Sequence, residues 1–313
     1  MTNELKRYLK NKKNLEDAFL YNPGHEHDSC GVGFVASTDG KQRREVVQGG
    51  IDALKAVWHR GAVDADGKTG DGAGILTQIP YNFFDDEIAK TGHEKRDEPL
   101  GIGMMFLPRN DYAALEKCRT IIESELLDHG YYIYGWRQVP INNSVIGEKA
   151  NSTRPEIEQV MFVNNIERDK DFDFAKELYL VRRRLEKRIA KQQINGFYVC
   201  SLSFESIIYK GLFLAEQLSI FYPDLANEEF ISSFAVFHQR YSTNTFPSWG
   251  LAKPFRLLAH NGEINTYKGN KNWMRIHEQE MSSPLFENVE NLKPVIQKGV
   301  SDSAALDNVF ELL

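Results

Sequence analysis

Cys30 is followed at once by Gly31, Val32, Gly33 and Phe34, and far along the chain a second segment reads His260, Asn261, Gly262, Glu263 and Ile264. A cysteine thiolate attacks a carbonyl carbon, and the oxygen that turns negative needs donors aimed at it. An asparagine side-chain amide and a glycine backbone N–H can supply them. The pair reads as a nucleophile and its oxyanion hole. Position adds a condition: a nucleophile that must be N-terminal would require removal of residues 1–29 first.

Three further clusters bear on this reading. Phe237, His238, Gln239, Arg240, Tyr241, Ser242 and Thr243 put an arginine and hydroxyls at the end of a predicted strand. A planar guanidinium suits bidentate capture of a carboxylate, although a surface ion pair is the commoner fate of an arginine. The Asn and Gly of residues 260–265 also fit an ordinary turn. Ser301, Asp302 and Ser303 read most simply as a helix N-cap. An isolated cysteine is usually a small buried hydrophobe. Cys118, on an apolar helix face, and Cys200, inside a strand, fit that description. Together the clusters have the character of an amino-acid site: an anion receptor, a carboxylate for an ammonium group, amide donors and a nucleophile.

These residues need elements to hold them. Apolar runs predict strands at residues 31–36, 75–79, 101–107, 131–136, 159–163, 197–204, 206–209, 232–238 and 256–260; the first is expected to be buried. Helical spacing joins Val47, Ile51, Leu54 and Trp58; Leu115, Cys118, Ile122 and Leu126; and Phe174, Leu178, Val181, Leu185 and Ile189. Helices are also expected over residues 266–277 and after Asp302. Helices and strands cluster rather than alternate strictly, which favours an α+β layered fold over a doubly wound parallel sheet. Residues 4–19 are charged and weakly helical, and Asn22, Pro23 and Gly24 then break the chain, the pattern of a detachable leader. Residues 304–313 form an apolar helix pattern that stops without a cap, so the expected domain, 30–313, reads as truncated at its C-terminus.

The 313 residues suffice for a sizeable core, and with 42% hydrophobic and 26% charged residues the composition is that of a globular protein. A net charge of −6 argues against nonspecific nucleic-acid binding. The basic run Arg182, Arg183, Arg184, Lys187 and Arg188 shares its helix with Glu177 and Glu186 and is expected to be a solvated face. No stretch approaches a membrane span, no export signal opens the chain, and three widely spaced cysteines give neither disulfide framework nor zinc pattern; a cytoplasmic location is expected. His25 and His27 have no ligand set to complete a metal site.

The ordered series Cys30-Gly31-Val32-Gly33-Phe34, His59-Arg60-Gly61-Ala62, Asp66-Gly67-Lys68-Thr69-Gly70-Asp71-Gly72, the segment from His238 to Trp249, and His260-Asn261-Gly262-Glu263-Ile264-Asn265 resembles the glutamine amidotransferase domain of glutamate synthase. The leader ending His25-Glu26-His27-Asp28-Ser29 resembles that family's propeptide. The resemblance implies a class II glutamine amidotransferase: an N-terminal nucleophile hydrolase with an αββα sandwich of two antiparallel sheets between helical layers. It implies Cys30 as the nucleophile after cleavage behind Ser29, with its freed α-amino group as general base. It further implies Asn261 and Gly262 as the oxyanion hole, Arg240 on the substrate carboxylate and Asp302 on its ammonium, with Thr243 and the Arg60-Gly61 turn as weaker pocket candidates.

The substrate so implied is L-glutamine, and the ammonia would pass to a synthase domain of the same polypeptide. That domain uses FMN, an iron–sulfur cluster and 2-oxoglutarate, and is served by a reductase subunit or by ferredoxin. Neither a dinucleotide fingerprint nor cluster-binding cysteine spacing occurs in this chain, so these cofactors are expected beyond Leu313. Two alternatives stay open: another class II amidotransferase, and a catalytically silent, unprocessed fragment.

Overall fold

The computed structural model describes residues 3–19, 22, 30–169, 171–240 and 246–313. They fall into two compact units, Met1–Cys30 and Gly31–Leu313. The first unit contains one helix, α1 (Asn3–Asp17).

The second unit contains eight strands, separated by helices, among its described residues. In chain order these are β1 (Val32–Ala36), α2 (Arg44–Ala56), β2 (Ala73–Gln78), α3 (Tyr81–Lys90), β3 (Leu100–Leu107), α4 (Tyr112–Asp128), β4 (Tyr131–Gln138), α5 (Glu148–Ser152) and β5 (Glu156–Asn164). There follow α6 (Phe174–Lys191), β6 (Tyr198–Ser203), β7 (Ser206–Gly211), α7 (Leu218–Phe221), β8 (Phe234–Gln239), α8 (Tyr267–Glu280) and α9 (Asp302–Leu312). The strands form two stacked four-stranded sheets, ordered β1-β8-β2-β7 and β4-β5-β3-β6, and every pairing is antiparallel. The expected α+β sandwich is the observed one.

Period-two alternation explains how β3 can be buried at all eight positions. Ile102, Met104 and Phe106 point into a core shared with the first sheet and α2, whereas Met105 and Leu107 face a second core under α4 and α6. The second core takes up the predicted helix faces: Leu115, Cys118, Ile122 and Leu126 from α4, and Leu178, Val181, Leu185 and Ile189 from α6. Across the sheets, the Gln159 side-chain amide on β5 donates to the Tyr209 hydroxyl on β7 at 2.9 Å. That hydroxyl donates to Asp224, which also takes a two-pronged ion pair from Arg137. A polar group this deep is tolerable because each member has partners.

Four expectations are corrected. Residues 256–260 form no strand: the N–H groups of Leu257 and Leu258 both donate to the Asp307 carboxylate, at 2.9 and 3.0 Å, and Phe255 N–H closes a turn on Leu258. Those donors are therefore not offered to a neighbouring strand. Strand β1 lies at a sheet edge, so Phe34 is 74% exposed rather than buried. Trp58 leaves the apolar face of α2, because the helix ends at Ala56 and a 3₁₀ turn turns the indole to solvent. The basic run on α6 is not a solvated face. Arg182 and Arg183 are buried, paired with Glu186 and, for Arg182, with Glu311, while Arg184 and Arg188 reach the buried Glu125.

Candidate active site

The middle strand β8 delivers the first functional side chains. Its last residues lie between the starts of β1 and β2: Gln239 N–H donates to the Gly31 carbonyl at 2.6 Å, and Arg240 N–H to the Gly72 carbonyl at 2.9 Å. Arg240 has φ +100°, a conformation that costs a bulky residue free energy and is commonest where function demands it. Successive strand residues face opposite ways, so His238 and Gln239 serve different sides of the sheet. His238 is buried, and its Nε2–H donates to the carbonyl of His260 at 3.0 Å. Burial, reinforced by the nearby Lys253 ammonium, lowers the His238 pKa to about 3, so the ring is neutral at working pH.

On the other side, the Gln239 amide lies under the Arg60-Gly61 turn. A Cβ on Gly61 would stand 1.9 Å from Gln239 Nε2, so any larger residue there must displace the Gln239 amide. Both polar atoms of the Gln239 amide, and Arg60 Nε, are buried without a hydrogen-bond partner among the described residues. Such groups cost roughly 1–3 kcal/mol each if left unmet, which marks a place able to receive a polar ligand.

The loop after Leu258 brings the amide donors. A Cβ on Gly31 would meet the Gln239 carbonyl at 2.4 Å and Asn261 Nδ2 at 3.0 Å. The Asn261 amide is thus seated against Gly31, the residue peptide-bonded to Cys30. The loop is tied down from two directions. Ile264 N–H donates to Asp302 Oδ2 at 3.1 Å, and His260 Nδ1 pairs with Ser303 Oγ at 3.3 Å, both at the start of α9. Ser301 caps that helix through Ala304 N–H, as its sequence predicts, and leaves the next residue, Asp302, at the helix N-terminus. Burial, with Lys253 adding to it, also lowers the His260 pKa.

Lys253 is the residue that sequence reasoning missed. Only 2% exposed, it donates through Nζ to the same His260 carbonyl at 2.6 Å. Burial lowers its pKa to about 8, against the support of Asp302 and Asp71 and with Arg240 opposing. No local pattern announces it: it lies in an irregular loop anchored by the Trp249 indole, which packs on Phe106 and Phe213 and donates to the Ala150 carbonyl at 3.0 Å.

Of the residues expected to form the site, the structure therefore groups Asn261, Gly262 and Asp302 on one loop–helix junction, with Arg240 among the charges nearest Lys253. Cys30 ends the first unit and is exposed, whereas Cys118 and Cys200 are buried, their thiols pushed up to about 11 and about 12 by burial. Thr243, like His25, His27 and Ser29, lies outside the described residues. Among the described residues no group of three or more His, Cys, Asp or Glu side chains is placed to hold a metal ion. They do not fit an iron–sulfur cluster, and no helix among them is long and apolar enough to cross a membrane.

Two stacked antiparallel sheets with flanking helices, entered by a strand that directly follows a Cys-Gly pair, are the architecture of an N-terminal nucleophile hydrolase. Residues 30–313 match the glutamine amidotransferases class-II, and the chain belongs to that family. Over 300 residues it is 62% identical to the glutamate synthase [NADPH] large chain of Azospirillum brasilense, covering 96% of this chain and 20% of that one. The ferredoxin-dependent, chloroplastic glutamate synthase of Spinacia oleracea is 43% identical over 303 residues, covering 96% of this chain and 18% of the relative. The glutamate synthase [NADH] of Saccharomyces cerevisiae is 44% identical over 305 residues, covering 94% and 14%. The chain spans a fifth or less of the length of each of these relatives.

Proposed function

We propose that this chain carries the glutaminase step of a glutamate synthase, releasing ammonia from L-glutamine for a synthase portion that lies elsewhere in the full-length protein. The observation that carries this reading is the seating of the Asn261 amide against Gly31, one peptide bond from the only exposed cysteine among the described residues. The family match begins at Cys30, which supports residues 1–29 as a leader removed on maturation.

In this reading the Cys30 α-amine, free after processing, takes the thiol proton; an α-amine titrates at about 7.7–8.0, close to working pH. The thiolate adds to the side-chain amide carbon of glutamine, and the resulting oxyanion is met by Asn261 Nδ2 and Gly262 N–H. The α-ammonium of Cys30 then protonates the amide nitrogen, the C–N bond breaks, and ammonia leaves a γ-glutamyl thioester. Water, deprotonated by the same amine, attacks the thioester; the C–S bond breaks and glutamate departs. Arg240 holds the substrate α-carboxylate and Asp302 its α-ammonium, while Thr243 and the Arg60-Gly61 turn complete the pocket.

FMN and an iron–sulfur cluster belong to the synthase portion. NADPH, NADH and ferredoxin each appear among the names of the relatives, so a reductase subunit and ferredoxin are both suitable partners. Three cysteines whose wide spacing gives no disulfide framework suit a reducing compartment such as the cytoplasm. The test is intact mass with N-terminal sequencing, followed by a glutaminase assay and labelling with a glutamine-analogue diazo ketone. A chain beginning at Cys30, active and labelled there, is expected. Retention of residues 1–29 with no activity, or labelling at Cys118 or Cys200, overturns the reading.

A further inference from the structure

One carbonyl oxygen, that of His260, receives two buried donors: Lys253 Nζ at 2.6 Å and His238 Nε2 at 3.0 Å. This oxygen lies in the rigid peptide plane that runs through the Asn261 nitrogen to its Cα. Holding it anchors the Asn261 Cα, the atom from which both the Asn261 side chain and the next peptide, whose N–H belongs to Gly262, depart. We propose that Lys253 is a positioning residue of the glutaminase site, gripping the His260 carbonyl together with His238 so that the Asn261 and Gly262 donors converge on the developing oxyanion. The proposal rests on the glutaminase reading above.

Packing alone does not account for a lysine here. Burying an ammonium is costly, and a methionine would fill similar space without that cost. The charge is retained where Asp302 and Asp71 favour it, and with a pKa of about 8 the group still carries its proton at neutral pH. His238 complements it: the neutral ring, with Nδ1 buried and unpartnered among the described residues, commits its one N–H to this oxygen.

The test compares the wild-type chain beginning at Cys30 with Lys253→Met and Lys253→Gln, after thermal melting has shown which variants fold. A misplacement of about 1 Å can cost on the order of 100-fold in rate. For Lys253→Met, kcat for glutamine hydrolysis is expected to fall about 10- to 100-fold while KM changes less than about threefold. Iodoacetamide should alkylate Cys30 as fast as in the wild type, because that reaction needs no oxyanion hole. Lys253→Gln should lose less, at least about threefold in kcat, since it keeps a donor but not the charge; should the Met variant not fold, the Gln variant decides by the same split. Wild-type kcat in the folded variant, or a rise in KM alone, overturns the proposal. A wild-type chain that begins at Cys30 yet neither hydrolyses glutamine nor takes the diazo ketone fails at the earlier step, and the proposal falls with it.

Discussion

Asp302 Oδ2 accepts the backbone N–H of Ile264 at 3.1 Å while its Oδ1 accepts that of Ser303 at 2.7 Å, so one carboxylate ties the loop of the amide donors to the first turn of α9. An amide in its place keeps one acceptor oxygen and puts a donor NH2 where the other stood, so one of the two contacts is lost together with the negative charge. Asp302→Asn is therefore expected to lose about 1 kcal/mol of stability with that contact and to raise KM for glutamine about 10- to 100-fold, the worth of a charged hydrogen bond of about 1.5–3 kcal/mol. Steady-state kinetics beside a melting curve decide it; an unchanged KM would remove Asp302 from the ammonium site.

In the proposed mechanism, Asn261→Ala removes one of two oxyanion donors while leaving the Lys253 and His238 contacts to the neighbouring carbonyl in place. Single-turnover measurements should show kcat down about 100- to 1,000-fold with glutamine binding retained. Turnover at the wild-type rate would exclude Asn261 from the hole.

His238 makes the fold acid-sensitive. Its pKa is about 3 in the fold against the ordinary histidine value of 6.5, so the unfolded chain binds a proton that the folded chain does not as pH falls below 6.5. Its contribution is intact above 6.5 and is lost progressively down to about 3. Between pH 7 and 4.5 the loss comes to about 2–3 kcal/mol. Urea unfolding at both values should show a His238→Gln chain losing that much less stability than the wild type; equal losses would contradict the burial argument.

Glu311 sits between two buried arginines, bonding Arg182 at 2.8 Å and Arg256 at 2.5 Å, and these hold its charge against the cost of burial. Glu311→Ala should cost about 3 kcal/mol, because Arg182 and Arg256 would remain buried with fewer partners. Lys149→Ala breaks a largely exposed pair with Asp64 and should cost less than about 1 kcal/mol. Denaturant midpoints for the two variants provide the comparison.

Much of the architecture was legible because periodicity reports burial directly. The apolar runs of β3 and β5 and the helical faces of α4 and α6 each match a core that the strands and helices share. What failed were segments whose backbone groups found partners outside any ladder, such as Leu257 and Leu258 on Asp307, and charges whose partners come from distant elements, such as Arg182 with Glu311. Spacing along one element carries no information about either.

The sequence by itself determined the chemistry available: a cysteine before a glycine-rich strand, an Asn-Gly pair, and an Asp beside a capping serine, in the order of the class-II amidotransferases. Only tertiary structure decided how these are held. Residues separated by 7 and 22 positions, Lys253 and His238, converge on the His260 carbonyl. Burial, a property of the assembled fold and not of either residue, keeps the His238 ring neutral, while Asp302 and Asp71, brought near by the same fold, favour the Lys253 charge against that burial.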